Sequence, residues 1–261
     1  MDPGMFPTLF ALGLVGGFVS GLLGIGGGIV MVPLLLYVPT ALGVGALSMK
    51  TAASLTAVQS FFGAISGAIG HKRHKRISVP LAYAMGGSTV IGSLSGSIVS
   101  VYLTSKVLLM VFAAMAIVAA VMMLIPIQET GSEPEVEGLE FNKPLAVLVG
   151  LIIGTLSGII GQGGAFLFVP AMLYILRIPT RITIGTTLVV GLASSTAVLL
   201  GRVGTNQIPY LMSAILIAGI LIGAHVGSTM SQRTPQRVLR GILSVLIFLT
   251  ALKISYELLL A

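Results

Sequence analysis

"SGLLGIGGGIVMVP" occupies residues 20–33, and "SGIIGQGGAFLFVP" occupies residues 157–170. Seven of the fourteen positions are identical in the same register. Both stretches lie inside runs that are otherwise strongly apolar, where clustered glycines followed by a proline are poor material for a long helix. How this pair is read decides the fold.

Outward from the pair, the duplication continues. At an offset of 137 residues Gly13 matches Gly150, Gly17 matches Gly154, Pro33 matches Pro170 and Tyr37 matches Tyr174. The offset then shrinks: "AASL" ending at Leu55 parallels "GTTL" ending at Leu188, and Pro80 parallels Pro209. Gly92, Gly96 and Ser97 likewise parallel Gly223, Gly227 and Ser228. The chain therefore divides into an N-terminal repeat, residues 1–127, and a C-terminal repeat, residues 144–261. Between them "QETGSEPEVEGLEFNK", residues 128–143, is acidic and contains Gly and Pro, the signature of a solvated linker.

Composition sets the surroundings. With 56% hydrophobic and 8% charged residues and a mean hydropathy of +1.09, the 261 residues describe an integral membrane protein. Eight apolar stretches stand out, at 9–36, 44–70, 80–103, 107–127, 144–175, 182–201, 208–230 and 238–260. Their length and unbroken apolarity predict helices rather than the short alternating strands of a membrane β-barrel. The start, "MDPGMFPTLF", lacks a basic n-region, so the first stretch is expected to remain in the mature protein. The absence of cysteine removes any disulfide framework or thiolate metal site.

The first stretch of each half has an informative length. As one helix, residues 9–36 would measure about 42 Å, too long for a hydrocarbon core of about 30 Å. Two full crossings would need about 40 residues. A re-entrant or broken helical hairpin with glycine at its turn suits the intermediate length, followed by three transmembrane helices in each half. Loop charges favour the same arrangement. If each first stretch enters and leaves on one side, the repeats are inverted. One side then gathers the Lys and Arg of "HKRHKR" with Lys143, Arg177, Arg181, Arg233, Arg237 and Arg240, ten cations against Lys50, Lys106 and Arg202. Parallel repeats would give six against seven. The expected topology in the cell membrane places both termini outside and the acidic linker inside.

Inverted pairs of broken helices hold substrates near the bilayer midplane in many secondary transporters, and half-helix N-termini favour anions. The densely clustered Gly24, Gly26, Gly27, Gly161, Gly163 and Gly164 are the candidate substrate-binding turn residues, joined by Gln162, whose amide needs partners at such depth. Gly13, Gly17 and Gly21, spaced four apart, suit helix packing instead. Polar residues after the hairpins add Ser54, Gln59, Thr187 and Ser194, with Ser54 and Thr187 at equivalent positions. Lys50 either snorkels to the outer interface or meets an arriving anion. His225, the lone histidine in an apolar stretch, is either a structural hydrogen-bonding group or a proton-coupling one. His71 and His74 lie in a basic loop with no other type of ligand nearby, so no metal site is assigned. That loop and a pI near 10.0 follow from topology and need no nucleic acid.

The two copies of "SGxxGxGG" ending in "VP", each followed by "ASL" or "TTL", resemble the TauE/SafE family of sulfite exporters, also called the 4-toluene sulfonate uptake permease family. The resemblance covers nearly the whole chain. It implies a carrier of small anions such as sulfite, sulfonates or sulfoacetate, with the lipid bilayer as its other partner. The halves differ at Gly28 and Ala165 and at Ile25 and Gln162, where any asymmetry of the site would begin. No carboxylate lies in a crossing except Glu257, so no carboxylate proton relay or Na⁺ site is evident. The expected mechanism is export by alternating access. The rival is a passive anion channel, distinguished by unsaturable flux. An enzymatic role is disfavoured by the lack of a catalytic triad, metal cluster or nucleotide loop, no cofactor is implied, and homo-oligomerisation is left open.

Overall fold

A computed structural model describes residues 3–23, 28–70, 77–124 and 139–231, together with 234, 238, 241–242, 244–250 and 252–253. The candidate glycines Gly24, Gly26 and Gly27, and the loop histidines His71 and His74, lie outside the described residues. Among those described there is no strand. The helices are α1 (Met5–Leu23), α2 (Gly28–Ala41), α3 (Met49–Gly70), α4 (Val79–Val99), α5 (Ser105–Leu124), α6 (Lys143–Ile160), α7 (Ala165–Pro170), α8 (Thr180–Gly204) and α9 (Tyr210–Ser231). A π-helical turn, Ala171–Ile175, continues α7, and most described positions after 240 are again helical.

Five helices are long and apolar enough to cross a bilayer: α1, α5, α6, α8 from Ile182, and α9. Large apolar side chains such as Ile91, Val121, Ile152 and Ile222 stand exposed on the surface, which suits a lipid surround. The protein is a multi-pass, all-α membrane protein.

Each long glycine-bearing stretch folds back on itself. Were residues 9–36 one straight helix, Gly16 and Met31 would lie about 22 Å apart along the axis. Instead a Cβ built on Gly16 would stand 2.8 Å from Met31 Sδ, so α2 lies back beside α1. In the second half Gly164 packs in the same way against Ser157 and Ile153 of α6. The arms are unequal, which the hydropathy did not show. The first arms, α1 and α6, have 19 and 18 residues and approach the full core thickness, while the returning arms are short.

Local sequence explains the ends. Asn142 caps α6, its Oδ1 accepting the Leu145 N–H at 3.1 Å, with Pro144 in the first turn. α6 closes with a Schellman-type pair in which Gly161 N–H donates to Gly158 O (3.3 Å) and Gln162 N–H to Ser157 O (3.1 Å). Pro170 cannot donate within α7, and the ladder widens to the π-helical turn directly after it.

Helix pairing exchanges elements between the halves. α1 packs most extensively on α9, and α6 on α4. Along α1, Gly13, Gly17 and Gly21 abut Leu216, Ile220 and Ala224 in turn, so α1 and α9 run parallel with backbones in contact. Gly150, Gly154 and Gly158 of α6 meet Met85, Thr89 and Ser93 of α4 in the same sense. The packing role expected for the four-spaced glycines is therefore what the structure gives them. α4 also runs parallel with α8, through Ser78 to Thr186, Ser93 to Ser194 and Ser97 to Val198.

Candidate functional site

The second hairpin turn carries three left-handed glycines in four residues: Gly161 (φ 76°), Gly163 (φ 62°) and Gly164 (φ 67°). A side chain on Gly161 would be strained by this backbone and would also collide with the Ala53 carbonyl of α3. Gly163 rests on Ser195 of α8, where a Cβ would stand 2.9 Å from the Ser195 Cβ. The turn is thus wedged between α3 and α8, the first crossing after the hairpin in each half.

Gln162, the one residue of the turn with a side chain, is buried and points across to the first hairpin. Its Nε2 donates to Gly28 O at 2.8 Å, at the start of α2, and its backbone carbonyl accepts from Ser60 Oγ at 2.9 Å. Its Oε1 has no hydrogen-bond partner among the described residues. Gln59, the neighbour of Ser60 on α3, is fully buried, and neither its Oε1 nor its Nε2 is partnered. The Gln59 amide faces Gly16 of α1, where a Cβ would stand 3.0 Å from Nε2. The two hairpins therefore meet through a pair of buried amides, each with unfilled hydrogen-bonding capacity.

Two further buried residues, which the sequence did not single out, carry the same unfilled capacity. Ser20 and Ser157 are the first residues of the two quoted segments, and both are fully buried with unpartnered hydroxyls. A helical serine ordinarily returns its hydroxyl to a carbonyl one turn back. Their equivalence across the repeat was the available signal.

Arg202 is the other omission. The charge count treats it as a loop cation on the outer side, but α8 runs on to Gly204 and Arg202 is completely buried. Asn206 takes a left-handed conformation (φ 60°) after α8, and Gln207 N–H returns to Arg202 O at 3.0 Å. This brings Gln207 Oε1 within 2.8 Å of Arg202 Nη1, which also donates to Ser54 Oγ at 3.2 Å. Nη2 donates to the carbonyls of Ile159 (2.8 Å) and Gly158 (3.4 Å) in the last turn of α6. Nε has no partner.

Gly161, Gln162, Gly163, Gly164, Gln59 and Ser54 are thus gathered around one turn. The other candidates lie in separate contacts. Thr187 donates to Met172 Sδ at 3.4 Å, tying α8 to the π-helical turn. Ser194 shares a 2.8 Å hydrogen bond with Ser93 of α4. Lys50 is half-buried and donates to Val101 O at 2.9 Å, holding the start of α3 to the end of α4. His225 is exposed on α9 beside exposed Ile222 and Val226, while Gly223 and Gly227 face α1.

Comparison with known proteins adds an independent finding. A family model described as "Sulfite exporter TauE/SafE" matches residues 9–254. The probable membrane transporter protein YdhB of Bacillus subtilis (strain 168) is 27% identical over 237 residues, covering 90% of this chain and 92% of that protein. A second from that organism, the probable membrane transporter protein YunE, is 23% identical over 273 residues, with 97% and 98% covered. A probable membrane transporter protein of Xylella fastidiosa (strain Temecula1 / ATCC 700964) is 28% identical over 231 residues, with 87% and 84% covered. No solved structure matches the chain.

Proposed function

The chain belongs to the sulfite exporter TauE/SafE family, a family of membrane transporters, and from that premise we propose that it exports a small sulfur oxyanion, sulfite or an organosulfonate such as sulfoacetate, by alternating access. The observation that carries this reading is the unfilled polar cluster where the hairpins meet. Buried polar groups left without partners cost about 1–3 kcal/mol each, so a fold retains them where a ligand completes them. Gln59 Nε2 and the hydroxyls of Ser20 and Ser157 supply donors for oxyanion oxygens, beside a buried guanidinium. Gly161, Gly163 and Gly164 hold the turn close against Ala53, Ser195 and Ser157, which fixes Gln162 at the junction of the hairpins.

Helix directions support inverted repeats. α1 runs with α9, whereas α6 runs with α4 and α8. The five residues 205–209 between α8 and α9 suit antiparallel neighbours, so α1 opposes its counterpart α6. Lys50 beside Val101 puts the start of α3 and the end of α4 on one side. The starts of α4 and α6 share the other side, with the basic loop and Lys143. With Arg202 buried, the loop cations stand at ten against Lys50 and Lys106, which favours termini outside and the linker inside. Because the chain has no cysteine, single cysteines at Glu140 and Lys106 report sidedness directly. Labelling of both from the same side would refute the topology.

A cytoplasm-negative potential favours outward movement of an anion by about 2.3 kcal/mol per charge per 100 mV. Purified protein in liposomes should move sulfite or a sulfonate in a voltage-dependent, saturable manner. Flux equal to that of empty vesicles for every such anion would refute anion transport. Flux that rises linearly without saturation would identify a channel instead.

A further inference from the structure

We propose that Arg202 recognises the charge of the transported anion, and that its lone positive charge selects singly charged oxyanions, sulfonates or hydrogensulfite, over divalent ones such as sulfate. The inference rests on the anion reading above and sharpens its substrate class, placing monosulfonates and hydrogensulfite ahead of the dianion sulfoacetate.

Every turn of a hairpin brings a helix C-terminus and a helix N-terminus together. The last carbonyls of α6 carry about half a negative charge, which offsets the attraction an anion would feel at the start of the returning arm. Left alone, the second turn is nearly neutral. Arg202 changes this, because its Nη2 covers the Gly158 and Ile159 carbonyls and cancels the negative end of α6. With the positive start of the returning arm, the turn then carries about one net positive charge.

Among the described residues no carboxylate lies in any helix, and the acceptors of Arg202 are a hydroxyl, an amide and two backbone carbonyls, all neutral. Neutral donors could have capped α6 at far lower desolvation cost, since a buried ion costs several kcal/mol unless it is paired. A guanidinium has five N–H donors. Four are used, and the fifth, on Nε, is buried and open. Through Ser54 and the last turn of α6 the group is continuous with Gln162 and the turn glycines.

Among the described residues Arg202 is the one buried Lys or Arg, so no second cation is described beside it. A singly charged oxyanion leaves the turn about neutral. A divalent one leaves about one negative charge buried, which nothing described there neutralises.

The test measures binding of methanesulfonate and of sulfate to the purified full-length chain in detergent at matched ionic strength. The wild-type protein should bind methanesulfonate at least about tenfold more tightly than sulfate. Arg202→Gln should weaken methanesulfonate by about 30-fold or more, the ordinary effect of removing one partner of a buried charge pair. Arg202→Lys should keep the preference for the monovalent anion while lowering affinity. Wild-type preference for sulfate, or unchanged affinity and preference in Arg202→Gln, would overturn the proposal while leaving anion transport standing. If Arg202→Gln fails to fold, the wild-type ranking and the Lys variant decide. Failure of the wild type to bind methanesulfonate, sulfite or sulfate would instead remove the anion assignment itself.

Discussion

Replacing Gln59 by leucine separates a ligand-binding role from a structural one, because the two predict opposite signs. Gln59 is completely buried, and both amide atoms lack partners. Leaving two such atoms unsatisfied costs about 1–3 kcal/mol each in the empty protein. Leucine removes both, and the change of shape against Gly16 and Met31 returns up to about 1.5 kcal/mol of that gain. Gln59→Leu should therefore stabilise the anion-free protein by about 0.5–6 kcal/mol. For a chain of this size that is roughly 2–4 °C in melting midpoint per kcal/mol. The assay is heating in detergent followed by size-exclusion chromatography, with and without sulfite. At a hundred times its Kd, sulfite should add about 2.7 kcal/mol to the wild type. The variant should lose most of that increment. A lower midpoint for Gln59→Leu, or an undiminished sulfite shift, would show that the amide serves the fold and not the solute.

Gly161→Ala should destabilise the protein by about 2–5 kcal/mol, the sum of a left-handed alanine and overpacking against the Ala53 carbonyl, read from the same melting assay. Ser20→Ala and Ser157→Ala should each raise the KM for sulfite flux in liposomes while leaving the midpoint of the anion-free protein unchanged or higher, since neither hydroxyl has a protein partner to lose. Gly17→Val should disrupt the α1–α9 contact and lower the yield of monodisperse protein, whereas Val15→Ala, on the exposed face of the same helix, should not.

Much of this architecture was legible because bilayer thickness and helical rise are fixed lengths. A 28-residue apolar run with glycine at its centre is too long for one crossing, and the fold-back of α2 onto α1 resolves it. Glycines spaced four apart marked α1 for close packing for the same geometrical reason, and their counterparts in α6 form the α4–α6 seam. The outward position of His225 was also implicit, since a residue two places from Gly223 and Gly227 points away from the face they occupy. Arg202 was not legible. Hydropathy ends the eighth-helix stretch at 201, and only the meeting of α6, α3 and Gln207 in space turns an apparent loop cation into a buried one. Ser157 and Ser20 looked like ordinary helical serines, and only the absence of a carbonyl contact sets them apart. Likewise Thr187 and Ser54 are equivalent in sequence yet differ in surroundings, Thr187 meeting Met172 and Ser54 meeting Arg202.

Because α1 is sealed backbone to backbone against α9, and α6 against α4, neither half can move as a separate body. Any rocking motion must divide the molecule across the duplication, with mobile units each built from pieces of both copies. The same interlock means that residues 1–127 expressed alone would expose two glycine-lined seams to lipid. Such a fragment would recover its shape only by embracing a second copy, the arrangement from which fusion of two duplicated genes would have made the present single chain.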